Sequence, residues 1–438
     1  MAVALGANAG DRRAALAGAV VALAGMGEVA AASSLYASSA AELSPDASPA
    51  DRAPYLNAVV RLDTVLPAEA VMAAMLAHEA QVGRDRAREG RHGARTLDMD
   101  LLVSDREVRQ APLVRLPHPR MAARPFVLVP LADAWPDAPH PTRAGWPRTA
   151  PGPQVEAVAP PAWAGAALAA AGALPTAGDD LVDESCRAAA LADPPLYPFG
   201  QVGSTADVLR VLAAAGAPHG SVVVAERQAA GRGRHGRVWW APAGGSLLVS
   251  ILLRDGVDLG GLLPLLVGLC AVEAIEAAGG AALRLKWPND VITGDGRKVG
   301  GILVERTGDM AALVGIGLNL APLGADAPAE VLGRAASLAD AGPAPPRALL
   351  LRCLAARLRE LGEEARARGP ATLLRRWRER APMIGRPVRV HPAGGQPPYD
   401  GVADGVAADG ALVVRRDDGS QVRVHAGDVS LSGSLAQR

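Results

Sequence analysis

An α+β chain is predicted, and three observations predict it. The first 135 residues alternate short apolar runs with helical stretches in the order βαββαβ, the pattern of a ferredoxin-like α/β sandwich. Residues 197–380 carry five strand-like segments and two long helical ones, which fits a mixed-sheet α+β domain. From about Pro387 short strands are joined by Asp-Gly turns, as in a small β-barrel. A length of 438 residues accommodates about three domains, each with its own core.

Taken in order, Ala2–Leu5 is an apolar run followed by the loop Gly6–Gly10. Asp11 is a good N-cap for an Ala-rich helix to about Gly25. Val29–Tyr36 and Tyr55–Asp63 read as strands, and Pro67 marks the start of a helix to about Val82. Arg95–Val103 is a further strand, and Phe126–Ala132 is helical. From about Thr149 to Pro195 the chain is rich in Ala, Pro and Gly, and its later part reads as a linker. Strands are then expected at Val222–Ala225, Ser246–Leu253, Leu283–Lys286, Gly301–Glu305 and Ala312–Leu318, with helices at Leu262–Ala278 and Ala348–Arg366. The last strands are Val388–His391, Leu412–Arg416 and Gln421–His425.

Formal net charge is zero, which gives no overall electrostatic case for a nucleic-acid or membrane partner. Cys186, Cys270 and Cys353 are too widely spaced for a disulfide framework or a zinc pattern. No stretch approaches about 20 uninterrupted strongly apolar residues, and the start MAVALGANAGDRR lacks the basic region of a signal peptide. A cytoplasmic protein is expected.

Only two of the 45 basic residues are lysine, Lys286 and Lys298, and both fall in LRLKWPNDVITGDGRKVGGILVE, residues 283–305. In a chain that otherwise uses arginine, two lysines in one segment point to sites that admit only a compact ammonium. Thr293–Gly296 reads as a hairpin turn, and Lys298 opens the returning strand. Pro288 confines the first arm to a strand end, bulge or edge. Gly300 and Gly301 leave room for a group to press on the backbone. Upstream lies GRGRHGRVWW, residues 231–240, in which glycines let the backbone fold tightly and Arg232, Arg234 and Arg237 offer forks for a phosphate. The adjacent Trp239 and Trp240 are candidates for a pocket wall or for ordinary core packing.

Gly203-Ser204-Thr205, AERQAAGRGRHGRVW, KWPND, GRKVGGILVE and VGIGLNLA occur in an order that resembles bacterial biotin protein ligases, over about residues 198–435. The resemblance implies a biotin/lipoate-ligase-type catalytic domain with a small SH3-like C-terminal domain. It also implies ATP-dependent formation of biotinyl-AMP and transfer of biotin to a lysine of a biotin carboxyl carrier protein. Carried onto this chain, Lys286, Lys298, Arg232 and Arg234 are catalytic. Ser204, Thr205, Ala206, Gln228, Arg232, Gly233, Arg234 and Lys298 are biotin-binding. Asn289, Asp290 and Asn319 lie on the ATP and magnesium side. Ala206 departs from the family's Asn. A ligase half that uses lipoate or octanoate is the alternative, and a biotin-responsive repressor is a further one. Residues 150–197 are too rich in proline and glycine for the helix-turn-helix a repressor would need.

The second constellation is EAQVGRDRAREGRHGARTLDMDLL, residues 79–102. On a strand Asp98 and Asp100 share one face, about 7 Å apart, and two such carboxylates can hold an oxygen-seeking cation such as magnesium. Arg84, Arg86, Arg88, Arg91 and Arg95 surround the pair in sequence. With LGANAGDR (5–12), YLNAVV (55–60) and LPHPRMAARPFVLVPL (116–131), this run resembles 6-hydroxymethyl-7,8-dihydropterin pyrophosphokinase over about residues 1–140. The resemblance implies transfer of pyrophosphate from ATP to the pterin hydroxymethyl group. Catalytic roles fall on Arg95, Asp98 and Asp100, with the two aspartates binding Mg2+. Glu79, Arg84, Arg95, His118 and Arg124 match ATP contacts, and Asn57 and Phe126 match pterin contacts. Ala7 and His92 depart from that family's usual Ser and Trp.

The expected organisation is a pyrophosphokinase domain at 1–163, a linker at 164–196, a ligase catalytic domain at 197–382 and an SH3-like domain at 383–438. A chain in which only one half is active is the remaining alternative.

Overall fold

Alternation of side chains along a strand dictates that Ala2–Ala7 bury one row on each face, and in the computed structural model this strand, β1, is an interior strand of the first sheet, paired on both edges. The structure describes residues 1–39, 53–84, 95–139, 155–160, 162–164, 166, 194, 196–214, 217–242, 244–254, 259–307, 311–325, 327–393 and 396–431. Its contacts divide the chain into two units, Met1–Ala217 and Pro218–Arg438. The expected linker 164–196 lies almost wholly outside the described residues, as do Arg86, Arg88, Arg91 and His92.

In the first unit β1 is followed by α1 (Arg12–Ala24), β2 (Glu28–Ala32), β3 (Leu35–Ser38), β4 (Tyr55–Asp63), α2 (Ala68–Gln81) and β5 (Asp98–Val103). Asp11 caps α1 as expected, its carboxylate accepting from Ala14 N at 3.0 Å. The sheet runs β5-β1-β4-β3 with β2 also beside β4, and its pairs are antiparallel. The strand expected over Val29–Tyr36 is two strands. Ser33 interrupts it, its Oγ accepting from Val59 N at 3.0 Å. After the short pair β6 (Arg109–Gln110) and β7 (Arg115–Leu116), helix α3 (Pro125–Ala134) covers the face lined by Ala2, Val59 and Leu102. Strand β8 (Val155–Ala159) joins the sheet beside β3 in a stretch where no strand was expected. Strand β9 (Leu196–Val202) and helix α4 (Thr205–Ala214) also fall in this unit, against α1 and α2.

The second unit is built on β10 (Val222–Gln228), β11 (Ser246–Arg254), β12 (Arg284–Lys286), β13 (Asp290–Ile292), β14 (Lys298–Thr307) and β15 (Ala311–Asn319). These lie in the order β12-β13-β14-β15-β11-β10, with antiparallel pairings. Helix α5 (Leu263–Ala277) is apolar nearly all round and packs on β14 and on α6 (Arg347–Arg368) and α7 (Ala371–Glu379). Residues Gly260–Ala277 are long and apolar enough to cross a membrane, and 67% of that stretch is buried inside the unit. Five further strands, β16 (Pro387–Pro392), β17 (Tyr399–Val406), β18 (Leu412–Arg415), β19 (Gln421–Val424) and β20 (Gly427–Leu431), form an antiparallel sheet in the order β19-β18-β17-β16-β20. Trp287 is buried between the two sheets of this unit, its indole N–H donating to Gly410 O at 3.0 Å.

Candidate active sites

In the first unit, β-register assembles one site. Gly6 of β1 stands opposite Asn57 on β4 and Asp98 on β5, so three strands present their residues side by side. A Cβ on Gly6 would approach Asn57 Oδ1 to 3.5 Å and Asp98 Cβ to 3.9 Å, so glycine keeps the floor between them flat. Asp98 and Asp100 face the same side of β5 and retain partial exposure, 19% and 32%. Arg84 Nη1 reaches Asp98 Oδ1 at 2.6 Å and Glu79 Oε1 at 2.5 Å, and Arg95 pairs with the other oxygen of Asp98. Arg124 lies 3.6 Å from Asp100. Burial would raise the Asp98 carboxyl, but the charges and hydrogen bonds of Arg84 and Arg95 outweigh it and hold the group below the usual carboxylate range.

Glu79, expected beside the nucleotide, is buried and also accepts from Met99 N at 2.7 Å, which fixes the end of α2 to β5. Asn57 is buried, and its amide nitrogen donates to Ser38 Oγ at 2.9 Å. Phe126 opens α3 with the Arg124 guanidinium 5.6 Å from its ring centre. His118 follows β7, and burial pulls its imidazole below the ordinary value. Asn8 was not anticipated. Its Oδ1 accepts from Arg95 N at 2.6 Å, and its own N–H donates to Arg95 O at 3.0 Å, so the loop after β1 sets where Arg95 stands. Its only sequence signal is a short polar residue inside a Gly/Ala loop.

The donor set suits magnesium. Two carboxylates on one strand face supply hard oxygen ligands, and each Asp98 oxygen keeps a second lone pair beside its guanidinium bond. Among the described residues no cluster of three His, Cys, Asp or Glu could hold a metal without further ligands such as phosphate oxygens.

In the second unit the Thr293–Gly296 turn forms as expected, joining β13 to β14 with Thr293 N bonded to Arg297 O at 2.9 Å and Gly296 at φ +93°. The arm before it breaks at Trp287–Asn289 and leaves Lys286 on the separate strand β12. Lys286 stands opposite Asp290 in the β12–β13 register, and Lys298 Nζ is 2.6 Å from Asp290 Oδ1. Asp290 therefore pairs with Lys298 and stands in register with Lys286. Of the two expected glycines, Gly300 lies against the Leu318 side chain, while Gly301, together with Gly317, faces an aromatic ring. A Cβ on Gly301 would stand 3.2 Å from Trp239 Cζ3 and 3.1 Å from Lys298 Nζ, and one on Gly317 would stand 2.6 Å from Trp239 Cε2. Lys298 Nζ lies 5.5 Å from the Trp239 ring centre. Trp239 is thus a wall over a glycine floor, and its buried Nε1 has no hydrogen-bond partner among the described residues.

The glycine–arginine loop folds back on itself. Arg232 bridges to Val238, and Gly233 N donates to Arg237 O at 2.7 Å. Arg234 reaches Asn289 Oδ1 at 3.4 Å, while Arg232 lies 3.7 Å from Glu305 on β14. Asn289 in turn donates to Ile302 O at 2.7 Å. Asn319 ends β15 buried, with Nδ2 on Ala336 O at 3.1 Å and Oδ1 without a partner among the described residues. Gln228 ends β10, its amide 3.0 Å from where a Cβ on Gly231 would be. Asp428 on β20 was missed. It pairs with Arg237 and lies 3.8 Å from Arg234, and no spacing rule connects residues so far apart. Ser204, Thr205 and Ala206 belong to the first unit, all three buried at the start of α4.

Residues 2–136 match the 7,8-dihydro-6-hydroxymethylpterin-pyrophosphokinase (HPPK) family. Residues 201–320 match the biotin/lipoate A/B protein ligase family, and 383–432 match the biotin protein ligase C-terminal domain. The chain is 39% identical over 241 residues to a biotin–[acetyl-CoA-carboxylase] ligase of Mycobacterium tuberculosis, covering 52% of this chain and 86% of that protein. It is 41% identical over 103 residues to a 2-amino-4-hydroxy-6-hydroxymethyldihydropteridine pyrophosphokinase of Pseudomonas aeruginosa, covering 24% of this chain and 62% of that one. The solved structure of a biotin protein ligase from Aquifex aeolicus in complex with biotin and ATP is 28% identical, covering 55% of this chain and 99% of its own, with a TM-score of 0.47.

Proposed function

The chain belongs to the biotin protein ligase family and carries a hydroxymethylpterin pyrophosphokinase domain ahead of the ligase, and on that premise we propose that one polypeptide performs both reactions. The observation that carries the ligase reading is the Lys298–Asp290 pair beneath Trp239, with Lys286 in register with Asp290 and Arg234 reaching the adjacent Asn289. The first domain, 1–163, is read as ferredoxin-like from its antiparallel strand order. The stretch 164–196 is read as linker, 197–382 as the ligase catalytic domain and 383–438 as an SH3-like domain.

In the ligase half, biotin's carboxylate attacks the α-phosphorus of ATP, and pyrophosphate leaves. Lys286, Arg232 and Arg234 offset the charge that accumulates on the phosphoryl oxygens. Ser204, Thr205, Gln228, Lys298 and the backbone around Gly233 hold biotin, with Ala206 at the position that departs from the family. Asn289, Asp290 and Asn319 face the nucleotide. The neutral amine of a carrier-protein lysine then attacks the acyl carbon of biotinyl-AMP, and AMP departs. The loop over the site excludes water that would hydrolyse the anhydride.

In the first half the pterin hydroxymethyl oxygen attacks the β-phosphorus of ATP, and AMP leaves with the α-phosphate. Positioning and charge neutralisation dominate such a transfer. Arg84, Arg95, His118 and Arg124 hold the triphosphate near Glu79. Asn57 reads the donor and acceptor edge of the pterin, and Phe126 stacks on it. Magnesium held by Asp98 and Asp100 would supply further neutralisation of the phosphates. ATP supply places both activities in the cytoplasm. One preparation assayed twice tests the reading, for pterin-dependent AMP release and for biotin-dependent ATP–pyrophosphate exchange. Both signals are expected, and the absence of either removes that half of the proposal.

A further inference from the structure

Helix α2 has more apolar surface than its own sheet can cover. The 3.6-residue period puts Ala68, Val71, Met75 and Glu79 on one side, and Glu79 bonds to β5 from there. Ala70, Ala73, Ala74 and Ala77 lie about 180° round the helix and are buried as well. That second face meets α4, which packs along α2, and four alanines permit a close approach. Gln81 continues the same stripe to its end. Its amide lies against Gly203, where a Cβ would fall 1.6 Å from Gln81 Nε2 and 2.0 Å from Oε1. From the other side Gly25, just past α1, accepts from Gly200 N at 2.7 Å and from Gln201 N at 3.2 Å. A Cβ on Gly25 would come within 2.6 Å of Gln201 O, so only glycine allows that approach.

The segment gripped between these two helix ends, Gly200 to Gly203, leads directly into Ser204 and Thr205. We propose that Gly25, Gln81 and the alanine face of α2 are positioning residues for biotin, because they fix the turn that presents Ser204 and Thr205. Helices α1 and α2 then hold, within the first unit, a turn that the ligase reading assigns to biotin. The proposal rests on the reading of Ser204 and Thr205 as biotin contacts.

The test uses the full chain with Ala74→Glu, Gln81→Ala and, as a control, Thr205→Val. In Ala74→Glu the KM for biotin is expected to rise about tenfold with kcat little changed, the signature of lost binding that is equal in ground and transition states. Amide exchange at Gly200 and Gln201 should accelerate, while pterin-dependent AMP release persists and reports that the first domain is folded. An unchanged KM with pterin activity retained overturns the proposal. If Ala74→Glu also loses pterin activity, Gln81→Ala decides, since that side chain is exposed at the end of the stripe. A raised biotin KM there supports the proposal, and an unchanged one overturns it. If Thr205→Val raises the KM but neither interface variant does, only the positioning role falls. If Thr205→Val leaves the KM unchanged, the biotin reading of the turn falls and takes the positioning role with it.

Discussion

Gly317→Ala offers a direct measure of how closely the second site is built. Gly317 lies on β15, between β14 and β11, so its backbone is held by a strand on each side. An added Cβ would stand 2.6 Å from Trp239 Cε2, 2.7 Å from Cζ2 and 2.9 Å from Nε1. Ordinary carbon contacts lie at about 3.5–4.0 Å, so the indole must lift by roughly 1 Å. Overpacking of this kind costs about 1–3 kcal/mol. Lifting the ring also weakens its contact with Lys298, now 5.5 Å from the ring centre, where a partly exposed cation–π pair contributes about 0.5–1 kcal/mol. At about 1.4 kcal/mol per tenfold, the KM for biotin in ATP–pyrophosphate exchange should rise by roughly 10- to 100-fold. Pterin-dependent AMP release should be untouched, since Gly317 belongs to the other unit. A KM within about twofold of the parent would refute the placement of Trp239 as the wall of the biotin pocket.

Lys298→Arg should lower biotin-dependent exchange by about a hundredfold or more, because a planar fork replaces an ammonium held 2.6 Å from Asp290 under Trp239. Near-normal exchange would contradict the compact-cation reading. Asp98→Asn removes the charge that Arg84 and Arg95 share, and pterin-dependent AMP formation should vanish while biotin exchange continues. Arg347→Ala removes the guanidinium paired with the buried Glu226 carboxylate, and denaturant melts should register a loss of about 3–5 kcal/mol, partly restored by adding Glu226→Gln. For pH, burial depresses His78 and His118, so the stability they contribute is present above the unfolded value of 6.5 and is lost as pH falls through their lower folded values. Asp98 is also depressed and adds a second loss below the unfolded carboxylate value of 3.8. Amide exchange in β1 and β4 followed across pH should accelerate in both windows.

Much of this was legible because chemistry and periodicity agreed. Asp11 announced α1, the Thr293–Gly296 turn announced the reversal that Lys298 follows, and Asp98 and Asp100 shared a face because a strand has period two. Where the sequence misled, tertiary pairing decided. Ser33 splits a strand that hydropathy reads as continuous, by bonding across to Val59. β8 lies within Ala/Pro-rich sequence and owes its conformation to an open edge of β3. The alanines of α2 carry no amphipathic signal because both sides of that helix are covered. Asp428 could not be assigned to the Gly/Arg loop, since only folding brings β20 beside it.

The indole of Trp287 has a mechanical consequence. It is anchored to Gly410 in the turn between β17 and β18, and its backbone N–H meets Met383 Sδ at 3.4 Å. Its neighbour one step back along the chain is Lys286. Any rocking of the terminal β-sheet is therefore geared to that ammonium, one peptide away, and a ligand that steadied the sheet would steady the lysine with it.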